Sequence, residues 1–326
     1  MSAPAAAPLP ADQPALLLRW RLPLLAAVLA TLPWIAPSQA LAVNILIYGL
    51  YATGFNLLFG YTGLLSFGHA AFLGAGAYGT GIALARLGIG WFGAIAIGVA
   101  ASGVLAVLIG ALSIRSRGIY FSMVTLALAQ LVYYIAFQAD DWTGGENGLR
   151  GLTVSRLRVG PFALDFLNPV VKYYVIFGFV VAALWALSRV LNAPFGAAIE
   201  AIRENEGRAL ACGFDVRRMK LVAFALSGLV CGLAGALDAL HLSIVPIDTL
   251  YYQTSGLAVM MALLGGAGTF LGPFIGAAIF LLIEDTFSLW TSHWQLFVGA
   301  IFILAVLFLP RGVWGSLIAW HQGRRA

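Results

Sequence analysis

Long stretches without a charged residue alternate with short polar connections along the chain. The charge-free stretches cover residues 22–85, 87–114, 118–139, 173–188, 221–237, 249–283 and 286–310. A helix needs about 20 consecutive, mostly apolar residues to cross the hydrocarbon core of a membrane. Most stretches therefore predict one crossing each, and the first is long enough for three.

These stretches predict an all-α fold, a polytopic transmembrane helical bundle of about 8–10 helices. The predicted helices lie near residues 20–37, 42–60, 63–85, 91–113, 118–138, 170–190, 221–241, 255–264, 271–289 and 294–309. Some segments are expected to be interrupted or re-entrant, in two loosely repeated halves. If 255–264 is a short half helix, the last helix returns to the inside, and Arg311, Arg324 and Arg325 then lie on the side that basic residues prefer.

Two glycine-rich segments, 73–77 and 264–268, loosely echo each other. Interrupted helices at corresponding places in two halves mark the transport site of many transporters. Both segments are therefore predicted to break a helix beside a pathway. Close packing of helices through small residues is the alternative for both.

Flanking and connecting segments complete the predicted organisation. Residues 1–18 are expected to form a disordered cytoplasmic tail, 19–310 a single transmembrane domain, and 311–326 a second cytoplasmic tail. An external loop is predicted at 139–168 and a cytoplasmic loop at 192–220. Residues 19–40 also have the features of a secretory signal ending in a small-residue site, but apolar sequence resumes at once, which favours an uncleaved first helix.

Composition excludes a soluble globular protein, since 61% of the residues are hydrophobic and only 10% are charged. The net charge of +5 is better explained by basic residues at the cytoplasmic ends of helices than by nucleic-acid binding. The two cysteines imply no disulfide framework, and no cluster with metal-ligand spacing is visible.

The 192–220 loop carries an unusual density of charge around a short amphipathic segment. Phe195, Ile199 and Ile202 share one face of a predicted helix, which Pro194 begins and Gly213 ends. Charged pairs along the other face are expected to be Glu200–Arg203 and Glu204–Arg208. Mixed charge around an apolar stripe favours a helix docked in a protein groove over one lying on a lipid surface.

Four motifs resemble those of the branched-chain amino acid ABC transporter permeases, in the LivM-like branch. They are NLLFGYTGLLSFGHAAFLGAGAY at 56–78, TGGENGL at 143–149 with Gly151, AIRENE at 201–206 followed by ALACG at 209–213, and GGAGT at 265–269 with Gly272 and Pro273. The resemblance covers roughly residues 45–310, and the first motif is specific.

In that family the cytoplasmic loop is a coupling helix that fits a cleft in a separate ATPase subunit. The resemblance implies this role for 195–213. The residues expected to couple to the ATPase are Phe195, Glu200, Arg203, Glu204, Glu206, Arg208 and Gly213. The general importer motif, Glu-Ala-Ala followed by Gly, is replaced here by Gly207-Arg208-Ala209 before Gly213, so the residue that dominates docking stays open.

Polar residues within apolar stretches are costly in lipid and often mark pathways. The translocation pathway candidates are Asn56, Ser66, His69, Gln130, Gly265, Gly266, Gly268 and Thr269. The alternative for His69 is a structural histidine bonded to neighbouring backbone. The external loop candidates, a gate or docking loop, are Gly144, Gly145, Glu146 and Asn147. Four acidic or basic side chains are expected near the outer face, in contact with water or a binding protein: Asp238, His241, Glu284 and Asp285.

The chain has no Gly-x-x-x-x-Gly-Lys-Ser/Thr motif, so it is expected to bind no cofactor and to be no enzyme, with ATP on partner subunits. The resemblance implies an alternating-access importer of branched-chain or other small apolar amino acids in the bacterial inner membrane, with both termini cytoplasmic. Its expected partners are two ATPases, an identical or different sister permease, an external substrate-binding protein and the lipid bilayer, with no nucleic acid. Urea or another small amide is the alternative substrate. An ion-coupled secondary transporter is the alternative class, ahead of a channel or a membrane enzyme.

Overall fold

A computed structural model describes residues 15–152, 156–159, 162–166, 168–291, 293–309 and 311–323. Helices make up nearly all of these ranges, which confirms the predicted polytopic helical bundle. Six spans among the described residues are long and apolar enough to cross a membrane. They are Gln39–Tyr61, Trp91–Ser113, Ile119–Gln138, Pro169–Leu191, Val216–Leu242 and Trp294–Leu317.

The first half of the chain forms five long helices. They are α1 (Ala15–Ile35), α2 (Gln39–Asn56), α3 (His69–Ala85), α4 (Trp91–Ser113) and α5 (Ile119–Gln138). Ser38 begins α2, because its hydroxyl oxygen accepts a hydrogen bond of 3.1 Å from the Leu41 N–H. At its other end α2 continues into a π-helical turn, Leu57–Tyr61.

A compact connection follows α5. It contains the short helix α6 (Asp140–Thr143), a 3-10 turn at Gly145–Asn147, and an antiparallel hairpin of β1 (Arg156–Val159) and β2 (Phe162–Asp165). Leu149 pairs with Val245 through two backbone hydrogen bonds of 3.0 and 2.9 Å, which tie this connection to the chain after α10 (Val216–Leu242). We call this end of the bundle the hairpin end.

The remaining helices form the second half. They are α7 (Pro169–Leu191), α8 (Pro194–Glu204), α9 (Glu206–Ala211), α10, α11 (Tyr252–Gly265), α12 (Gly272–Ser288), α13 (Trp294–Phe308) and α14 (Gly312–Gly323). The connection that holds α8 and α9 lies opposite the hairpin end, and we call that side the loop end.

Glycine serves helix packing, and not a helix break, at residues 73–77. This segment lies in the middle of the continuous helix α3, so the predicted interruption there is wrong. A Cβ atom on Gly76 would lie 2.0 Å from the carbonyl oxygen of Gly232 on α10, so α3 and α10 approach closely only because this position is glycine. The interruption occurs earlier, at residues 63–68, and α3 begins at His69 instead of near residue 63.

The late glycine-rich break is confirmed. Helix α11 ends at Gly265, the backbone of Gly266 has a φ of 118°, and α12 begins at Gly272. Helix α11 therefore reaches the loop end, α12 returns to the hairpin end, and α13 crosses again. Arg311 then lies at the loop end, where its carbonyl oxygen is close to Gly266. Arg324 and Arg325 lie outside the described residues.

The terminal segments are helical where they are described. The predicted tail at 1–18 falls mainly outside the described residues, and positions 15–18 belong to α1. Residues 312–323 of the second predicted tail form α14.

Candidate coupling and translocation site

The 192–220 loop contains two short helices and not the single helix predicted for 195–213. Helix α8 ends at Glu204 because Asn205 is extended, with a φ of −157°. The Asn205 side chain then accepts a hydrogen bond of 2.9 Å from the Arg208 N–H and starts α9. An asparagine favours such a start because its short side chain competes for backbone hydrogen bonds.

The apolar stripe of α8 packs on this chain's own bundle. Ile199 is fully buried in the main hydrophobic core, and Ile202 packs with Ala209 and Val216. The predicted use of this stripe in a partner's groove is therefore wrong, because the stripe is already covered. What the loop presents outward is a mixture of charged side chains and the exposed apolar side chains of Leu210 and Phe214.

A crevice of about 190 Å³ opens on that outward side, between α8 and α9. Its lining residues are Ala201, Glu204, Asn205, Arg208, Ala209, Cys212 and Phe214. The predicted Glu204–Arg208 ion pair is not formed among the described residues, because the break at Asn205 ends the helical spacing between them. Both side chains are exposed and line the crevice instead.

Ion pairs fix α9 to neighbouring helices. The Lys220 ammonium on α10 lies 2.8 Å from a Glu206 carboxylate oxygen, and its side chain is largely buried. Arg117, just before α5, lies 3.8 Å from the other oxygen of Glu206. Asp215 accepts a hydrogen bond of 3.1 Å from the Arg218 N–H and so begins α10. Glu206 therefore ties α9 both to α10 and to the residues before α5.

Helix α8 is connected instead to the end of α2. The Arg203 guanidinium donates a hydrogen bond to the carbonyl oxygen of Gly60, in the π-helical turn. Its aliphatic stem lies against Gly63, whose backbone has a φ of 75°. Arg203 thus joins the loop to the point where the first membrane break begins.

Asn56 joins that same turn to the second break. Its amide nitrogen donates a hydrogen bond of 2.9 Å to the Thr269 carbonyl, and its amide oxygen accepts one of 2.8 Å from the Gly268 N–H. Asn56 is 1% exposed, so an amide that lost these partners would be buried without replacement. The backbone groups of Gly268 and Thr269 therefore supply the hydrogen-bond partners of the Asn56 amide. In return, Asn56 supplies partners for the irregular backbone of the break.

The two breaks touch at Gly60. A Cβ atom at this position would lie 2.1 Å from the Asn56 amide oxygen and 2.4 Å from the Gly268 nitrogen. Only glycine fits this approach. Arg203, Gly60, Asn56 and the Gly268–Thr269 segment therefore form one continuous set of contacts, which we call the loop-to-break chain.

Ser66 lies in the first break, His69 is the first residue of α3 after it, and both are fully buried. The two ring nitrogens of His69 lie 3.3 Å from the Ser66 carbonyl and 2.9 Å from the Ser227 hydroxyl of α10. The His69 ring also stands edge-on to Phe55 and Phe72. This environment is that of a bonded structural histidine.

The other predicted positions are more dispersed. Gln130 on α5 has a buried amide oxygen without a partner in the described part of the chain. Gly144 and Gly145 have positive φ angles of 78° and 52°, while Glu146 and Asn147 are exposed at the hairpin end. Asp238 is 3% exposed, so the expectation that it faces water is wrong.

Comparison with known proteins identifies the family. A family described as "Branched-chain amino acid transport system / permease component" matches residues 39–306. The chain belongs to this family.

Curated relatives of this permease cover most of its length. It is 28% identical to the high-affinity branched-chain amino acid transport permease LivM of Escherichia coli, over 84% of this chain and 69% of that protein. It is 23% identical to a probable LivM of Methanocaldococcus jannaschii, over 84% and 92% of the two chains. It is 31% identical to the L-arabinose ABC transporter permease AraH of Azospirillum brasilense, over 66% and 62%. No solved structure matches the permease.

Sequence reasoning missed the contacts of two residues in this permease. Gly60 was only one letter of a longer motif, and Lys220 was one of many loop charges. Gly60 bonds to Arg203, which is more than 140 positions away in the sequence. Lys220 pairs with Glu206, which is 14 positions away. A sequence signal exists only for Lys220, which is one of two lysines in the chain.

We expect His69→Ala to lower the permease's free energy of unfolding by about 2–4 kcal/mol, because it leaves a cavity between Phe55 and Phe72 and removes one of the two hydrogen bonds of the Ser227 hydroxyl, which keeps only its bond to the Gly54 carbonyl. Thermal unfolding in detergent measures the loss, with exposed His293→Ala as the matched control. Transport per folded molecule is expected to be retained. A variant that unfolds like the native chain but transports nothing would instead place His69 in the pathway.

Proposed function

We propose that this permease is the membrane subunit of an ATP-binding-cassette importer. The observation that carries the proposal is the loop-to-break chain. A crevice between α8 and α9, with Glu204 and Arg208 on its wall, faces outward, and Arg203 connects that loop directly to Gly60 and the interrupted helices. A partner that docks at the crevice would act on the irregular membrane segments through a short set of contacts.

The partners follow from this role. Two ATPase subunits would bind and hydrolyse ATP, since the chain carries no phosphate-binding lysine loop of its own. A sister permease would complete the pathway, and an external binding protein would deliver the substrate. The LivM relatives support branched-chain or other small apolar amino acids as that substrate.

The loop end is proposed to be cytoplasmic. Basic residues concentrate there, namely Arg115, Arg117, Arg189, Arg203, Arg208, Arg217, Arg218, Lys220 and Arg311. The positive-inside rule supports a cytoplasmic loop end with α1 starting inside, and the membership in a permease family with six candidate spans supports the inner membrane.

The proposed mechanism is alternating access. Closure of the ATPase pair moves α8 and α9, Arg203 displaces the turn at Gly60, and the shift reaches the α11–α12 break through Asn56. The helices around both breaks then reorient so that the pathway opens to the outside. Discrete contacts of this kind transmit a movement because packed interiors shift between arrangements and do not deform continuously.

Co-purification of the ATPase with tagged permease tests the proposal. Ala201→Trp fills the crevice with bulk, and Arg208→Glu reverses a charge on its wall. We expect either to reduce ATPase recovery about tenfold or more, since each replaces contacts worth at least about 1.4 kcal/mol. The matched control is Arg217→Glu, an exposed charge reversal outside the crevice.

Two results would contradict the importer function. One is equal ATPase recovery from the native chain and both crevice variants. The other is a purified chain without any ATPase that still transports along an ion gradient. The buried carboxylate of Asp238 would then become the first residue to examine for ion coupling.

A further inference from the structure

A polar cavity lies at the hairpin end, among α2, α11, α12 and α13. Its volume is about 310 Å³. Its polar lining consists of Asn44, Tyr48, Glu284, Asp285, Ser288 and Trp294, and apolar side chains of α2, α11 and α12 form the remainder. None of the pathway contacts described above uses this cavity, and it lies at the opposite end of α2 from Asn56.

The charged side chains that line the cavity are all acidic. The cavity is lined by two carboxylates, Glu284 and Asp285, and by no Lys, Arg or His. Tyr48 stands on the same wall-forming helix as Asn44, and both residues line the cavity. Two adjacent carboxylates therefore line this cavity without a basic residue on its wall to balance them.

We propose that this cavity binds a small organic ammonium compound with an apolar body. Glu284 and Asp285 accept hydrogen bonds from the ammonium group, which charge assistance strengthens. Trp294 and Tyr48 supply aromatic faces that attract a cation. The apolar side chains contributed by α11 and α12 enclose a short aliphatic group, and the volume suits one such molecule.

Ligands with a free carboxylate fit this cavity less well. Their negative group would lie near Glu284 and Asp285, with only uncharged donors on the wall as partners, namely the Asn44 amide, the Ser288 and Tyr48 hydroxyls and the Trp294 N–H. The inference thus goes beyond the proposed importer function, because it assigns the permease its own binding site with a preference for an amine over an amino acid.

Calorimetric titration of the permease alone, in lipid nanodiscs with empty nanodiscs subtracted, tests the proposal without any ATPase. The probes share one carbon skeleton: 3-methylbutylamine carries only the ammonium group, leucine carries both charged groups, and isovalerate carries only the carboxylate. We expect the amine to bind, leucine to bind more weakly, and isovalerate to give no heat.

Variants complete the test. Glu284→Gln is expected to weaken amine binding about tenfold or more. Leu257→Trp is expected to abolish it by filling the cavity while both carboxylates remain. The matched control is Asp248→Asn, an exposed carboxylate at the same end that does not line the cavity. Equal binding of isovalerate, binding of Na⁺ without the amine, or unchanged amine affinity in both cavity variants would overturn the proposal.

Discussion

Gly60→Ala is expected to abolish transport and to lower the free energy of unfolding by about 2–5 kcal/mol. The added methyl group would lie 2.1 Å from the Asn56 amide oxygen and 2.4 Å from the Gly268 nitrogen. Neither neighbour can move without breaking the hydrogen bonds between Asn56 and the α11–α12 break. Overpacking and loss of a buried hydrogen-bonded pair therefore occur together.

Gly178→Ala provides the matched control, because Gly178 lies within α7 and has no neighbouring atom within 4 Å of an added Cβ. Alanine is the better helix former, so this control is expected to be neutral or slightly stabilising. Thermal unfolding and transport in reconstituted vesicles are measured for both variants. If Gly60→Ala transports at the native rate, the close approach of the two breaks has no part in the mechanism.

Arg203→Met is expected to reduce transport roughly 10–100-fold while the ATPase partner still binds, because the lost hydrogen bond involves a charged donor worth about 1.5–3 kcal/mol. Methionine keeps an unbranched stem beside Gly63 but removes the guanidinium that reaches the Gly60 carbonyl. The crevice residues are unchanged, so docking is preserved. The expected phenotype is therefore ATP hydrolysis without matching substrate uptake.

The measurement compares ATP hydrolysis with uptake in vesicles that contain the complete transporter. Arg203→Lys is expected to retain part of the uptake, because an ammonium still reaches a carbonyl but lacks the planar fork of arginine. Exposed Arg217→Met controls for loss of a loop charge. Parallel losses of hydrolysis and uptake in Arg203→Met would show that Arg203 serves docking and not transmission.

The sequence predicted the helical membrane architecture well because charge-free stretches report membrane crossings directly. It also located the break after Gly265 and the reversal that returns Arg311 to the loop end. Both conclusions depend on local properties, namely apolar length, glycine backbone freedom and the side preference of basic residues.

The wrong predictions concern local sequence patterns that are compatible with two different structures. Glycines at 73–77 permit close packing of α3 on α10, and a sequence does not distinguish this from a helix break. The apolar stripe of α8 was assigned to a partner because nothing in the sequence shows that Ile199 and Ile202 are covered by the bundle. The break at Asn205 had a visible signal, since asparagine favours helix starts over helix interiors.

The candidate site was predicted only as separate residues. Asn56, Gly268 and Thr269 appeared in two distant motifs, and their hydrogen bonds became visible only when the helices were placed together. The same applies to the cavity at the hairpin end. Asn44 and Tyr48 share one face of α2, four positions apart, but nothing local connects them with Glu284.

The close approach at Gly60 also restricts how relatives of this chain can diverge. A side chain at position 60 has room only if the Asn56 amide and the Gly268 nitrogen both withdraw, and their separation leaves the Gly268 N–H and the Thr269 carbonyl without the partners that Asn56 supplies. Each single step away from this arrangement passes through a defective intermediate. Substitutions at positions 56, 60 and 268 are therefore expected to occur together. Each relative of this chain is expected either to keep all three residues or to have replaced all three.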